Sequence, residues 1–185
     1  HVCHISTKET VALLNEAQKE GLSVSGEASP HHLILTEDNI QDCHPNFKMN
    51  PPLRSQEDHQ ALIQGLNDRT ITVIATDHAP HARDEKNTSI QNAPFGIIGL
   101  QHAFPLLYTY LVKKNLVSLE TILDALTVGP AQVLHFDCQV QTGSLANLCI
   151  FDLDQSFTIE EKDLKSKSAN TPFLGTTCYG RIFAN

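Results

Sequence analysis

Thr70-Ile71-Thr72-Val73-Ile74-Ala75-Thr76-Asp77-His78-Ala79-Pro80-His81 is the stretch that decides the fold. Its first half is a β-branched run, which reads as a buried strand. The polar groups begin where the strand ends. Asp77 can bind a metal or move a proton, and His81 can bind a metal, an anion or a proton. Pro80 rules out an ordinary helix through His81, so the two side chains are not a helical i, i+4 pair. They belong on a loop at the C-terminal end of a strand, where α/β barrels and open α/β sheets carry their active sites.

Upstream, the same arrangement occurs twice more. His1 to Thr7 reads as a short strand that runs into a loop at His4. Leu22 to Ala28 reads as another strand, ending in Ser29-Pro30-His31-His32. A helix over Lys8 to Glu20 separates these two, with Ser6 or Thr7 as N-cap, Val11, Leu13, Leu14 and Ala17 facing inward, and Gly21 as the stop. Residues 36–56 lack periodicity and contain Pro45, Pro51 and Pro52, which predicts a long loop of the kind that usually has a function. Glu57 to Leu66 reads as a helix. Strand–helix–strand–loop–helix–strand is the pattern of βαβ units with a parallel sheet. The ends of such strands lie on one side, so His4, then His31 and His32, then Asp77 and His81 are expected to converge.

Downstream, Ala82 to Ala93 reads as a polar, irregular loop over the site. Pro94-Phe95-Gly96 turns into an apolar helix over Leu100 to Lys114. Ser118 caps a helix running to Leu126, Gly129-Pro130 breaks it, and Ala131 to Phe136 forms a further turn. Beyond Phe136 the texture changes. Leu148 to Phe151 and Thr158-Ile159 suggest small strands in a separate layer.

Thirteen basic against twenty-one acidic side chains give a net charge of −8, which argues against nucleic acid as a partner. No apolar run reaches membrane-spanning length, and no signal peptide opens the chain. The chain starts at His1 rather than Met and reads as a piece of something longer. The five cysteines are odd in number, irregular in spacing and without a CxxC, so a reduced, cytoplasmic setting fits, with the thiols as small buried apolar groups. Blander readings stand beside the functional ones. A strand-end Asp is often a turn or cap residue, and a lone His is often structural. Asn50 before Pro51-Pro52 also suits the start of a turn, though substrate contact is the favoured reading. His31 and His32 read as structural, with one of them supporting the site. His44, His59, His102 and His135 read as surface or packing groups, and Lys86 as loop decoration.

Six collinear motifs resemble the dihydroorotase family, within the amidohydrolase superfamily. They are His4-Ile5-Ser6-Thr7, Glu27-Ala28-Ser29-Pro30-His31-His32-Leu33, Lys48-Met49-Asn50-Pro51-Pro52-Leu53-Arg54, the segment Ala75 to His81 with Lys86 beyond it, Ala93-Pro94-Phe95-Gly96-Ile97-Ile98-Gly99-Leu100, and Ser166-Lys167 with Asn170-Thr171-Pro172-Phe173. The resemblance covers nearly the whole chain. It implies an α/β fold: the C-terminal part of a (β/α)8 TIM barrel at residues 1–135, about strands six to eight, and part of a small β-sandwich domain at residues 136–185. It implies His4 and Asp77 as zinc ligands, one or two ions per site, with Asp77 also the catalytic proton-transfer group. Asn50, His81 and the backbone of Phe95 and Gly96 would bind substrate.

The implied activity is the reversible cyclisation of N-carbamoyl-L-aspartate to dihydroorotate in pyrimidine biosynthesis. A hydantoinase or allantoinase on the same fold, and a non-catalytic subunit that scaffolds aspartate transcarbamoylase, remain as alternatives, and homodimerisation is open. The family's His-x-His-x-Arg motif, bridging carboxylate and another metal-binding histidine would all lie before His1. The chain by itself is therefore expected to be inactive without the missing N-terminal half of the barrel. Gln101-His102 and Asn147 replace a usual Glu and Asp at positions where no chemistry is expected.

Overall fold

The computed structural model describes residues 1–40 and 42–184. Its first part is built on parallel pairing. Val2 bridges Gly26 in parallel, and β1 (Glu27–Ala28) pairs in parallel with β2 (Val73–Ile74), with Glu27 opposite Val73. Bonds from Thr72 N to Gly26 O and from Ala75 N to Ala28 O extend that pairing by a residue at each end. The strands are thus shorter than the expected Leu22 to Ala28 and the β-branched run from Thr70, because the ladder is continuous only where the two segments run side by side. Their order, 2 beside 26–28 beside 73–74, is the one the sequence pattern requires. A further parallel bridge joins His78 to Ile97.

Two helices of matched length cover this layer. In α1 (Lys8–Lys19), Thr7 is the N-cap and accepts from Thr10 N; Val11 and Leu14 are buried. Leu13, expected inside, is 66% exposed, because only the Val11–Leu14 stripe meets the layer beneath. In α3 (Gln56–Asn67), Ser55 and Asp58 satisfy each other's backbone donors as a capping box. Between them, the short α2 (Pro30–Ile34) begins at Pro30, whose missing N–H costs nothing at a first turn. Ile5, Leu14, Leu33, Leu62, Leu66 and Ile71 form the heart of the core beneath.

The second half departs from expectation in two places. The helix expected over Leu100 to Lys114 is α5 (Ala103–Leu107) followed by a wider π-helical turn over Tyr108–Val112. Thr109 accounts for part of this: its hydroxyl donates to Pro105 O and accepts from Tyr179 N. Nor do Gly129 and Pro130 end a helix. The break falls at Thr127, after α6 (Leu119–Leu126), and both residues sit in the first turn of α7 (Val128–Leu134). Gly129 is needed there for close approach, since a Cβ would lie 1.8 Å from Thr72 O in the parallel layer.

The tail is one antiparallel hairpin, β3 (Ile150–Thr158) with β4 (Thr177–Ala184). Along β3, half-buried and exposed residues alternate, as in a strand covered on one side. It packs on α5, with the Phe151 ring 4.6 Å from Phe104 and Gly180 against the Phe104 and Tyr108 rings. Cys178 is buried there, while Cys3, Cys43, Cys138 and Cys149 are exposed and all five are free thiols. The expectation of five buried cysteines therefore fails at four, which lie outside the two apolar clusters.

Candidate active site

His4 and Asp77 meet. His4 Nε2 lies 3.7 Å from Asp77 Oδ1, each side chain 29% exposed. Two donors each about 2.1 Å from one ion at the tetrahedral angle are roughly 3.4 Å apart, so this pair fits a shared divalent metal. Both residues adopt left-handed backbone, φ 53° at His4 and φ 49° at Asp77. Such conformations cost about 1–3 kcal/mol for a non-glycine residue and concentrate at functional positions. The backbone thus turns sharply just past each strand pairing, at His4 and at Asp77.

Behind His4 stands Glu27, 7% exposed. Its Oε1 is 3.0 Å from His4 Nδ1, and its Oε2 accepts from His1 Nε2 at 3.0 Å. Cys3, His1 and Glu27 also offer three ligand atoms within 4.8 Å of one another. Sequence reading gave Glu27 no role. No local signal marks it, since Ser23, Ser25 and Gly26 make the strand polar along its length and a charge at its end reads as exposed.

The remaining site residues lie on loops that cross-brace one another. His32 is buried; Ser29 Oγ donates to its Nδ1 at 2.6 Å and its Nε2 donates to Pro51 O at 2.9 Å. It therefore supports the turn that presents Asn50, an exposed residue. Burial lowers the His32 pKa to about 4. His31 is also buried and held well below the ordinary histidine range by desolvation and then by its neighbour His32. Its Nε2 has no hydrogen-bond partner among the described residues.

His81 Nε2 donates to Phe95 O at 2.9 Å, and its Nδ1 stands 3.7 Å from Glu85 Oε2. Gly96 N donates to Lys48 O, and Gly96 O accepts from Asn170 Nδ2. Gly96 has φ 97°, and a Cβ there would lie 2.6 Å from the Ala79 side chain. The Phe95–Gly96 segment is thus pressed against the Asp77–His81 loop. Lys86 is not loop decoration. It is 5% exposed, and its Nζ donates to Pro45 O at 3.1 Å and Pro94 O at 2.8 Å. Burial, and then the nearby Lys48, lower its pKa to about 8. The expected open loop holds a helical turn, α4 (Arg83–Lys86), that delivers this lysine inward.

Parallel strands bring a histidine and a carboxylate together at their tips, and residues 1–182 match the amidohydrolase family; the chain belongs to that family. It is 50% identical over 181 residues to the dihydroorotase of Bacillus cereus (strain AH820) and 51% identical over 181 residues to that of Shouchella clausii (strain KSM-K16). Both alignments take in 97% of this chain, which spans 42% of the length of those relatives. Among solved structures, the L-hydantoinase (dihydropyrimidinase) from Arthrobacter aurescens superposes with a TM-score of 0.91 at 30% identity, over 99% of this chain and 43% of its own. A D-hydantoinase (dihydropyrimidinase) from Thermus sp. shares the fold, with a TM-score of 0.88 at 24% identity, over 98% of this chain and 42% of its own. None of the described helices is long and apolar enough to cross a membrane.

Proposed function

We propose that this chain is the C-terminal share of a zinc-dependent dihydroorotase. Residues 1–135 would be the last part of a (β/α)8 barrel and residues 136–185 part of a small β domain. The observation that carries the reading is the approach of His4 Nε2 to within 3.7 Å of Asp77 Oδ1 at neighbouring strand ends. The dihydroorotase relatives at about half identity support the substrate.

His4 and Asp77 would hold a zinc ion, which would lower the pKa of water to about 7 and polarise the ring carbonyl. Asp77 does the proton work. In ring opening it takes a proton from the attacking water and delivers it to the nitrogen that leaves as the amide C–N bond breaks. In ring closure the steps reverse: the carbamoyl nitrogen joins the protonated carboxyl carbon and loses its proton to Asp77, which passes it to the hydroxyl oxygen that departs as water. The turn at the end of a short strand holds Asp77 in place for both directions.

Asn50 and His81 bind the substrate carboxylate. With His81 Nε2 given to Phe95 O, the ring donates to substrate through Nδ1, which requires the doubly protonated form or release of Phe95 O. The substrate's ring amide meets Phe95–Gly96 at the second lone pair of a carbonyl oxygen, since each carbonyl accepts two hydrogen bonds.

The second reading, a hydantoinase, is favoured by the 0.91 TM-score to the Arthrobacter aurescens enzyme. The two substrates differ in the carboxylate, for which His81 and Asn50 are the partners. Turnover by the full-length protein on dihydroorotate, hydantoin and allantoin, side by side, separates them. Preference for dihydroorotate that collapses in His81→Ala is the expected result; faster turnover of hydantoin would overturn the reading.

A further inference from the structure

We propose that Glu27 is a positioning residue that fixes the tautomer and orientation of His4, so that Nε2 is the nitrogen offered to the metal. This rests on the reading of His4 as a metal ligand. The backbone ties the two residues together from both sides: Glu27 N donates to Val2 O at 3.0 Å, and Ile5 N donates to Glu27 O at 2.8 Å. The two segments that carry the carboxylate and the imidazole are therefore held in register. Its Oε1 stands 3.0 Å from His4 Nδ1, a buried nitrogen. The oxygen lies off the ring N–H direction, so the two groups touch without an in-line hydrogen bond. No other acceptor serves that nitrogen among the described residues. The opposite nitrogen is the one aimed at Asp77.

The chemistry follows from these positions. A histidine that ligates through one nitrogen carries its proton on the other, and a carboxylate beside that proton orients the ring and raises its basicity. A free imidazole has no fixed choice between its two N–H forms. Here an anion against Nδ1 favours the form with the proton on Nδ1 and leaves the Nε2 lone pair open. His1 holds the second carboxylate oxygen and is itself braced by Ser25 Oγ at 2.8 Å from Nδ1. One buried anion is thus shared between two imidazoles, and His1 keeps Glu27 turned toward His4.

The test uses the full-length protein and zinc alone. Zinc affinity is measured by chelator competition in wild type, Glu27→Gln, Glu27→Ala and His4→Ala, with thermal unfolding of the metal-free proteins as the folding control. We expect Glu27→Ala to weaken zinc binding about 10–100-fold, with Glu27→Gln in between, because its amide oxygen still accepts but carries no charge. Histidine ¹⁵N spectra of the metal-free protein supply a readout that packing alone does not move. Wild type should show His4 protonated at Nδ1, and Glu27→Gln should shift the population toward Nε2–H. If His4→Ala loses zinc while both Glu27 variants bind as tightly as wild type and keep the tautomer, Glu27 has no positioning role. If His4→Ala itself binds zinc normally, His4 is not a ligand and the inference falls with that reading.

Discussion

At Asp77 the backbone and the side chain make separate demands. The left-handed φ of 49° favours Asn, Asp or Gly, and the proposed chemistry needs a carboxylate. Asp77→Asn meets the first demand and fails the second. It should leave the melting temperature close to wild type while lowering kcat by about 10²–10⁴-fold, the usual worth of a general acid–base group. A large loss of stability with it would show that the residue is structural. His32 gives a second expectation. Its folded-state pKa, about 4, lies below the ordinary value of 6.5, so the unfolded chain takes up the proton first. The stabilisation is complete above pH 6.5 and is lost as pH falls from there toward 4. Urea midpoints of the full-length protein should fall between pH 7 and pH 5, and fall less in His32→Gln; equal slopes would refute the assignment. Both residues were legible in the sequence as strand-end groups. Glu27 and Lys86 were not, because burial of a charge depends on which loops close over it, and local pattern does not report that.

Among the elements, α7 approaches the parallel layer closely enough at Gly129 to leave no room for a Cβ. Gly129→Ala would drive a methyl group into Thr72 O and should destabilise by about 1–3 kcal/mol, read as a lower unfolding midpoint. An unchanged midpoint would mean that the helix can shift outward freely. The loop brace at Lys86 makes a different prediction. Lys86→Met leaves the Pro45 and Pro94 carbonyls without their donor and loosens the lips that carry Asn50 and Phe95. KM for dihydroorotate should rise more than kcat falls, and a pure kcat effect would count against the brace. The sequence announced the helices well, since Ser55 with Asp58 and Thr7 with Thr10 are local capping signals. It misplaced the break near Gly129. Glycine and proline there serve close packing and a first helical turn, and both roles resemble a helix stop when only neighbours in the chain are read.

Across the whole molecule, no strand among the described residues pairs with the parallel layer beyond Val2, which is 42% exposed, or beyond the far edge of β2. An open strand edge invites pairing with another chain. The isolated 185-residue chain should self-associate in light scattering, hold less than one tightly bound zinc per chain and lack turnover. An active monomer with two tight zinc ions would overturn this. The convergence of strand tips from distant parts of the chain was legible because a parallel sheet permits nothing else. The hairpin at 150–184 was only half legible, since β4 carries glycine at 180 and owes its pairing to Phe104 and Tyr108.

The twin left-handed corners at His4 and Asp77 have an outcome for variation at these two positions. In a saturation library of the complete gene, cellular abundance and growth without added pyrimidine should separate there. Asparagine and glycine would survive as intact but silent protein. Valine and isoleucine would be cleared before their chemistry could be tested.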